Sequence, residues 1–219
     1  VLYSEFGADI PGLAGNDDGY EEWGVELYNL ASKSGTKFED LDADGVKDAG
    51  EPGLPDWTIY VDYNGNGAFD LGEPSGVTGA TGAYTISAII PGTYKVREVG
   101  KAGWTCSFPT TKDAFGCFHE ETFVEDVAYP GNDFGNYRPV SVTACKVEDV
   151  DKVPTTTTDR VPVAGWDVYL SIGGVRQTPG AKTGTDGCYT WTGLMPGPSY
   201  DVEEDVPAAW FAWTPTKHD

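Results

Sequence analysis

The chain is poor in positive charge and in the residues that usually serve metal and proton chemistry. Only 14 Lys and Arg stand against 35 Asp and Glu, a formal net charge of −21, with two His and one Met in 219 residues. So acidic a chain lacks the basic footprint that nucleic acids require. It also repels itself unless cations offset part of the charge. Four Cys without a C-x-x-C pair, and so few His, argue against a zinc site. No apolar run is long enough to span a bilayer, so membrane insertion is not expected. No secretory leader is visible, as expected of a processed or cut chain. His119 and His218 stand apart, and no G-x-S-x-G or Cys/His pairing is evident, so an enzyme is not expected.

What is present suits short strands and tight turns: Gly 29, Pro 15, Tyr 12 and Trp 7. Runs such as Trp57, Ile59 and Val61 alternate with Thr58, Tyr60 and Asp62, broken by glycine-rich turns. That period of two marks an all-β sandwich, and the length allows two domains.

The chain also repeats itself. Lys37 falls on Lys146, Trp57 on Trp166, Tyr60 on Tyr169 and Tyr84 on Tyr189; further on, Pro91 falls on Pro196, Trp104 on Trp210 and Pro109 on Pro215. The first unit continues past Pro109 for 28 residues to Tyr137, whereas the second stops four residues after Pro215. The first 28 residues of the chain lie without gaps on Thr110–Tyr137, matching Phe6 to Phe115, Gly7 to Gly116, Asp17 to Asp126, Tyr20 to Tyr129 and Tyr28 to Tyr137. The expected organisation is a donor-strand-like segment (1–30), a calcium-binding sandwich (31–139) and a degenerate sandwich lacking its final strand (140–219). An incomplete sandwich exposes unpaired backbone. Residues 23–29, with Trp23, Val25, Leu27 and Tyr28, alternate suitably to fill such a groove by strand addition. Three arrangements are open: insertion into a neighbouring molecule to give a head-to-tail homopolymer, folding back onto the chain's own second domain, or the stub of a preceding repeat.

Two twelve-residue stretches fit the calcium-loop pattern, with oxygens at positions 1, 3, 5, 7, 9 and 12 and Gly at 6. In DLDADGVKDAGE these are Asp40, Asp42, Asp44, Val46 (main chain), Asp48 and Glu51, around Gly45. In DYNGNGAFDLGE they are Asp62, Asn64, Asn66, Ala68 (main chain), Asp70 and Glu73, around Gly67. Two calcium ions are expected in the first domain. The intervening PGLPDWTIYV carries prolines and a β-branched, aromatic run. Helices after the loops, as in a dockerin, are therefore excluded.

Across SGTKFEDLDADGVKDAGEPGLPDWTIYVDYNGNGAFDLGEP, GAYTISAIIPGTYKVREV, AGWT and DFGNYR, the chain resembles the B-like repeats of serine–aspartate-repeat surface adhesins, related to the Cna-B fold. The resemblance covers 35–138 and implies Ig-like or prealbumin-like sandwiches, stiffened by calcium and used as rod-like spacers in secreted or cell-wall proteins. The second unit departs from the pattern, with DVDKVPTTTTDR and SIGGVRQTPG opposite the two loops, although Asp149 and Asp151 survive. Some Cna-B relatives carry a Lys–Asn isopeptide crosslink. Lys37 and Lys146 hold first-strand positions, with Asn132 and Asn136 near the last strand, but the expectation here is a surface lysine ending a strand.

Four cysteines allow three pairings. Cys106–Cys117 flank one turn, and Cys145 and Cys188 replace Thr36 and Ala83 together, so these two bridges are expected. Low lysine, paired cysteines and calcium loops favour an extracellular, cell-surface setting. The expected function is a structural filament subunit. The alternatives are a non-polymerising spacer or adhesin with a surface ligand, and a carbohydrate-binding module using the Trp and Tyr side chains.

Overall fold

The computed structural model describes residues 29–153, 157–212 and 217–218. Among them the regular structure is all strand, as the alternating pattern requires. The first group is β1 (Ala31–Glu39), β2 (Thr58–Asp62), β3 (Ser75–Val77), β4 (Ala83–Ile89), β5 (Gly92–Glu98), β6 (Thr105–Phe108), β7 (Lys112–Asp113), β8 (Gly116–Phe123), β9 (Ala128–Tyr129) and β10 (Phe134–Tyr137). These form two sheets, β4-β1-β10-β6 with β9 also on β1, and β3-β2-β5-β8-β7. Between them lies a closed core of Ala31, Ile59, Val61, Tyr84, Ile86, Ile89, Val96, Phe123 and Phe134. Each large side chain so buried contributes about 1.5–3 kcal/mol.

Strand β1 is the pivot of its sheet. On one side it pairs antiparallel with β4. On the other it pairs parallel with β10, Lys37 opposite Phe134 and Glu39 opposite Asn136. The first and last strands of the unit therefore lie side by side.

The second group is β11 (Val140–Cys145), β12 (Val147–Asp149), β13 (Arg160–Pro162), β14 (Asp167–Ile172), β15 (Val175–Arg176), β16 (Ala181–Lys182), β17 (Cys188–Leu194), β18 (Tyr200–Glu204) and β19 (Lys217–His218). Its first pairing repeats that of the first group in register. The β11–β17 pairing places Ala144 opposite Tyr189 and Val142 opposite Trp191, as Gly35 lies opposite Tyr84 and Lys33 opposite Ile86. Even the bulge recurs, between Ala31 and Lys33 and again between Val140 and Val142. A positive φ falls on Ala88 in one unit and on Gly193 in the other.

Among the described residues β6, β7, β9 and β10 have no counterpart. Among the described residues nothing pairs with the edge of β11 and β12 that corresponds to the β10 side of β1. The consequence is visible at equivalent positions: Ala31 is 1% exposed and Val140 38%, Phe38 1% and Val147 40%, Tyr84 4% and Tyr189 37%. The buried Ile86 and Ile89 become the half-buried Trp191 and Leu194. The second core shrinks to Ala144, Trp166 and Val168, with Val163, Ala181, Trp191, Val202 and Trp210 partly covered.

Candidate functional site

The parallel pairing of β1 and β10 brings three polar side chains together inside the first sandwich. Lys37 is fully buried, its Nζ 2.8 Å from Glu98 on β5 and 4.4 Å from the centroid of the Trp57 ring. The same nitrogen donates to the Asn136 carboxamide oxygen, while Asn136 Nδ2 donates 2.7 Å to Glu98 Oε1. Burial pulls the lysine pKa down to about 8 against the opposing pull of Glu98. The expectation of a surface lysine is thus overturned. Lysine is seldom buried unpaired, and what carries it inward is a carboxylate and a carboxamide contributed by distant strands. Asn132, the other candidate, meets the strands through its main chain, donating N–H to the Ser34 carbonyl and accepting the Tyr84 hydroxyl, while its side-chain Nδ2 is buried without a hydrogen-bond partner.

The chemistry this triad suits is amide exchange. In that exchange a neutral Lys37 amine would attack Asn136 Cγ, Glu98 would carry the proton, the Cγ–Nδ2 bond would break and ammonia would leave. The pair is 99 residues apart in sequence. A covalent tie over such a span removes unfolded-chain entropy on the scale of about 4.7 kcal/mol in the loop-closure model.

The second unit holds two of the three groups. Lys146 Nζ lies 2.7 Å from Glu204 and 4.5 Å from the Trp166 centroid. The tryptophans keep their partners too, Trp57 edge-on to Trp104 and Trp166 to Trp210, which places these rings in packing corners. Among the described residues no asparagine side chain reaches Lys146.

The two loops fold alike. Gly45 N–H donates 2.8 Å to Asp40, and Gly67 N–H 3.0 Å to Asp62. Val46 and Ala68 N–H close onto Asp44 and Asn66. Glu51 accepts from the N–H groups of Leu41 and Asp48, as Glu73 does from those of Tyr63 and Asp70. Both position-6 glycines have positive φ, which the sharp turn demands. Asp40 and Asp62 are buried, and each leaves Oδ1 without a hydrogen-bond partner. A buried orphan carboxylate oxygen is costly unless a cation takes it. Carboxylate oxygens of Asp40, Asp42 and Asp44 also lie within 4.8 Å of one another. The oxygen-only donor set fits a calcium ion in each loop.

Sequence reasoning missed what surrounds the second loop. Arg97, buried, donates 2.8 Å from Nε to Asp62 and bonds Asp113 on β7 through both terminal nitrogens. Those bonds, then Lys95, hold the Asp113 carboxyl far below its ordinary pKa. No local motif marks this arginine. In the second unit the structure adds Asp159 to Asp149 and Asp151, carboxylate oxygens again within 4.8 Å. Burial, then those neighbours, raises the Asp149 pKa.

Both expected disulfides are present, Cys106–Cys117 and Cys145–Cys188. Cys145 and Cys188 lie directly opposite across β11–β17, as Thr36 and Ala83 do across β1–β4. The expected donor-strand residues Trp23, Val25, Leu27 and Tyr28 lie outside the described residues.

No protein-family model and no curated protein matches this chain. Solved structures do. The Bacillus anthracis TIE protein aligns at 14% identity and TM-score 0.38 over 81% of this chain, which spans 28% of that one. GBS52, the minor pilin of Streptococcus agalactiae, aligns at 15% identity and TM-score 0.33, covering 85% of this chain and 88% of its own. The shaft pilin SpaA of Lactobacillus rhamnosus GG aligns at 13% identity and TM-score 0.33, covering 86% and 93%. The function proposed below stands on this chain's own geometry.

Two outcomes follow. The denatured, reduced chain should weigh one ammonia less than its sequence, and Asn136→Ala or Glu98→Ala should abolish the deficit; a full-mass wild type contradicts the triad chemistry. Calcium at a hundred times Kd should raise stability by about 2.7 kcal/mol per site. Glu51→Gln and Glu73→Gln should each remove one share in calorimetry. An unchanged melting temperature on chelation contradicts the sites.

Proposed function

We propose that the chain is a structural subunit of an extracellular fibre, joined head to tail by a strand from one copy that docks on the open edge of β11 in the next. The observation that carries this reading is the contrast at equivalent positions: Ala31, Phe38 and Tyr84 are buried, whereas Val140, Val147 and Tyr189 are more than a third exposed. Exposed apolar side chains on both faces of the strand, beside unpaired main-chain groups, are a template for strand addition. In the first unit β10 occupies that edge, paired with Lys37, Phe38 and Glu39 of β1. The segment around Trp23, Val25, Leu27 and Tyr28, which matches the β10 region in sequence, is the natural occupant.

Supporting features belong to the same design. The first unit is tied across its ends by the Lys37–Glu98–Asn136 triad and braced by calcium in two loops. Disulfides hold both units and persist in an oxidising, extracellular setting. Because the segment and its acceptor edge are different surfaces, contacts between copies are heterologous and propagate as a filament rather than closing as a dimer.

Removing residues 1–28 leaves every described strand in place and should convert assemblies into single chains in sedimentation velocity and electron microscopy. Val25→Asp with Leu27→Asp should do the same, since each charge would enter an apolar row. Assemblies that survive both changes contradict the docking strand. A wild type already monomeric favours a non-polymerising surface spacer.

A further inference from the structure

The pair Lys146–Glu204 is built like a reaction centre waiting for its third member. Its distances to each other and to Trp166 repeat those of Lys37, Glu98 and Trp57 within about 0.1 Å. The missing carboxamide reaches Lys37 from β10, and the corresponding edge in the second unit is unpaired among the described residues. Whatever strand enters there places its inward side chains beside Lys146.

We propose that Lys146 is the nucleophile of an intermolecular crosslink and that Asn29 of a neighbouring copy supplies the carboxamide. This rests on the strand-docking reading above and adds covalency to it. The inward residues of β10 that meet the core are Phe134 and Asn136, two apart, both buried. In VELYN, residues 25–29, Leu27 and Asn29 stand in that same alternation. Repeat alignment alone, with Tyr28 on Tyr137, would set Leu27 against the ion pair and leave its outer polar atoms facing methyl groups. Sliding the strand by two residues keeps every side chain on its face. It brings Leu27 to the place of Phe134 and Asn29 to that of Asn136.

Two further details suit this register. It places Tyr28 where the first unit has Gly135, whose absent Cβ would lie 2.6 Å from the Phe38 ring. The second unit has the smaller, exposed Val147 at the Phe38 position, which opens that space. Among the described residues the Asn29 carboxamide makes one exposed hydrogen bond, 2.8 Å to Asp126.

The reaction balances without oxidant or cofactor. The Lys146 Nζ–Asn29 Cγ bond forms, the Asn29 Cγ–Nδ2 bond breaks, Glu204 relays the proton from the amine to the leaving nitrogen, and one ammonia departs per junction.

Full-length assemblies, verified by electron microscopy, are boiled in detergent with reductant, resolved by size, and digested for peptide mass analysis. The result expected is a detergent-resistant ladder in the wild type, a branched peptide joining Lys146 to Asn29 with one ammonia lost, and no ladder in Lys146→Arg or Asn29→Ala. Visible wild-type assemblies that collapse wholly to single chains overturn the crosslink while leaving strand docking intact. Absence of any assembly overturns both. A ladder whose branched peptide maps to other residues also overturns the assignment, and needs no variant to fold.

Discussion

The rest of the molecule depends on one constraint: the first strand of each sandwich needs a parallel partner along its second edge. In the first unit β10 meets that need with main-chain bonds, with Phe134 in the core and with Asn136 at the Lys37–Glu98 pair. The core closes as a result. In the second unit the partner is lacking among the described residues, and the apolar positions it would cover stay half open. The unpaired edge of β11 and β12 thus goes with an open core, in a unit whose described residues also lack counterparts of β6, β7 and β9.

Mechanics follow from the same pairing. A pull on the two ends of the first unit acts on β1 and β10 in parallel and shears the bonds between them together. The Lys37–Asn136 contact sits in that seam, and a covalent bond there carries force that hydrogen bonds would release. The first acidic loop is attached to the same place: Asp40 N–H donates 2.8 Å to the Asn136 carbonyl. The second loop is tied through Asp62 and Arg97 to Asp113 on the β7–β8 hairpin, whose Cys117 is bridged to β6. Acidic loop, ion pair and disulfide thus form one connected brace, not three separate ones.

How much of this was legible in the sequence depended on distance along the chain. The folded shape of the two acidic loops was readable, because the hydrogen bonds that close them join residues within twelve positions. The Cys145–Cys188 bridge was readable because the repeat showed two changes arising together at Thr36 and Ala83, which proved to be opposite one another. Lys37 was misplaced. Lysine at a strand end normally faces water, and neither Glu98 nor Asn136 is near enough in sequence to signal otherwise. Arg97 escaped notice for the same reason, since its partners Asp62 and Asp113 lie on either side of it in the chain and meet only in the fold.

The most direct test of the open edge is hydrogen exchange, read segment by segment by mass spectrometry. In the chain lacking residues 1–28, the amides of 142–149 should exchange far faster than those of 33–40, since open-edge groups lack the pairing that β10 gives β1. In full-length assemblies the two segments should be protected alike. Equal protection of both segments in the truncated, unassembled chain would mean that the edge of β11 is already filled, and would contradict the account.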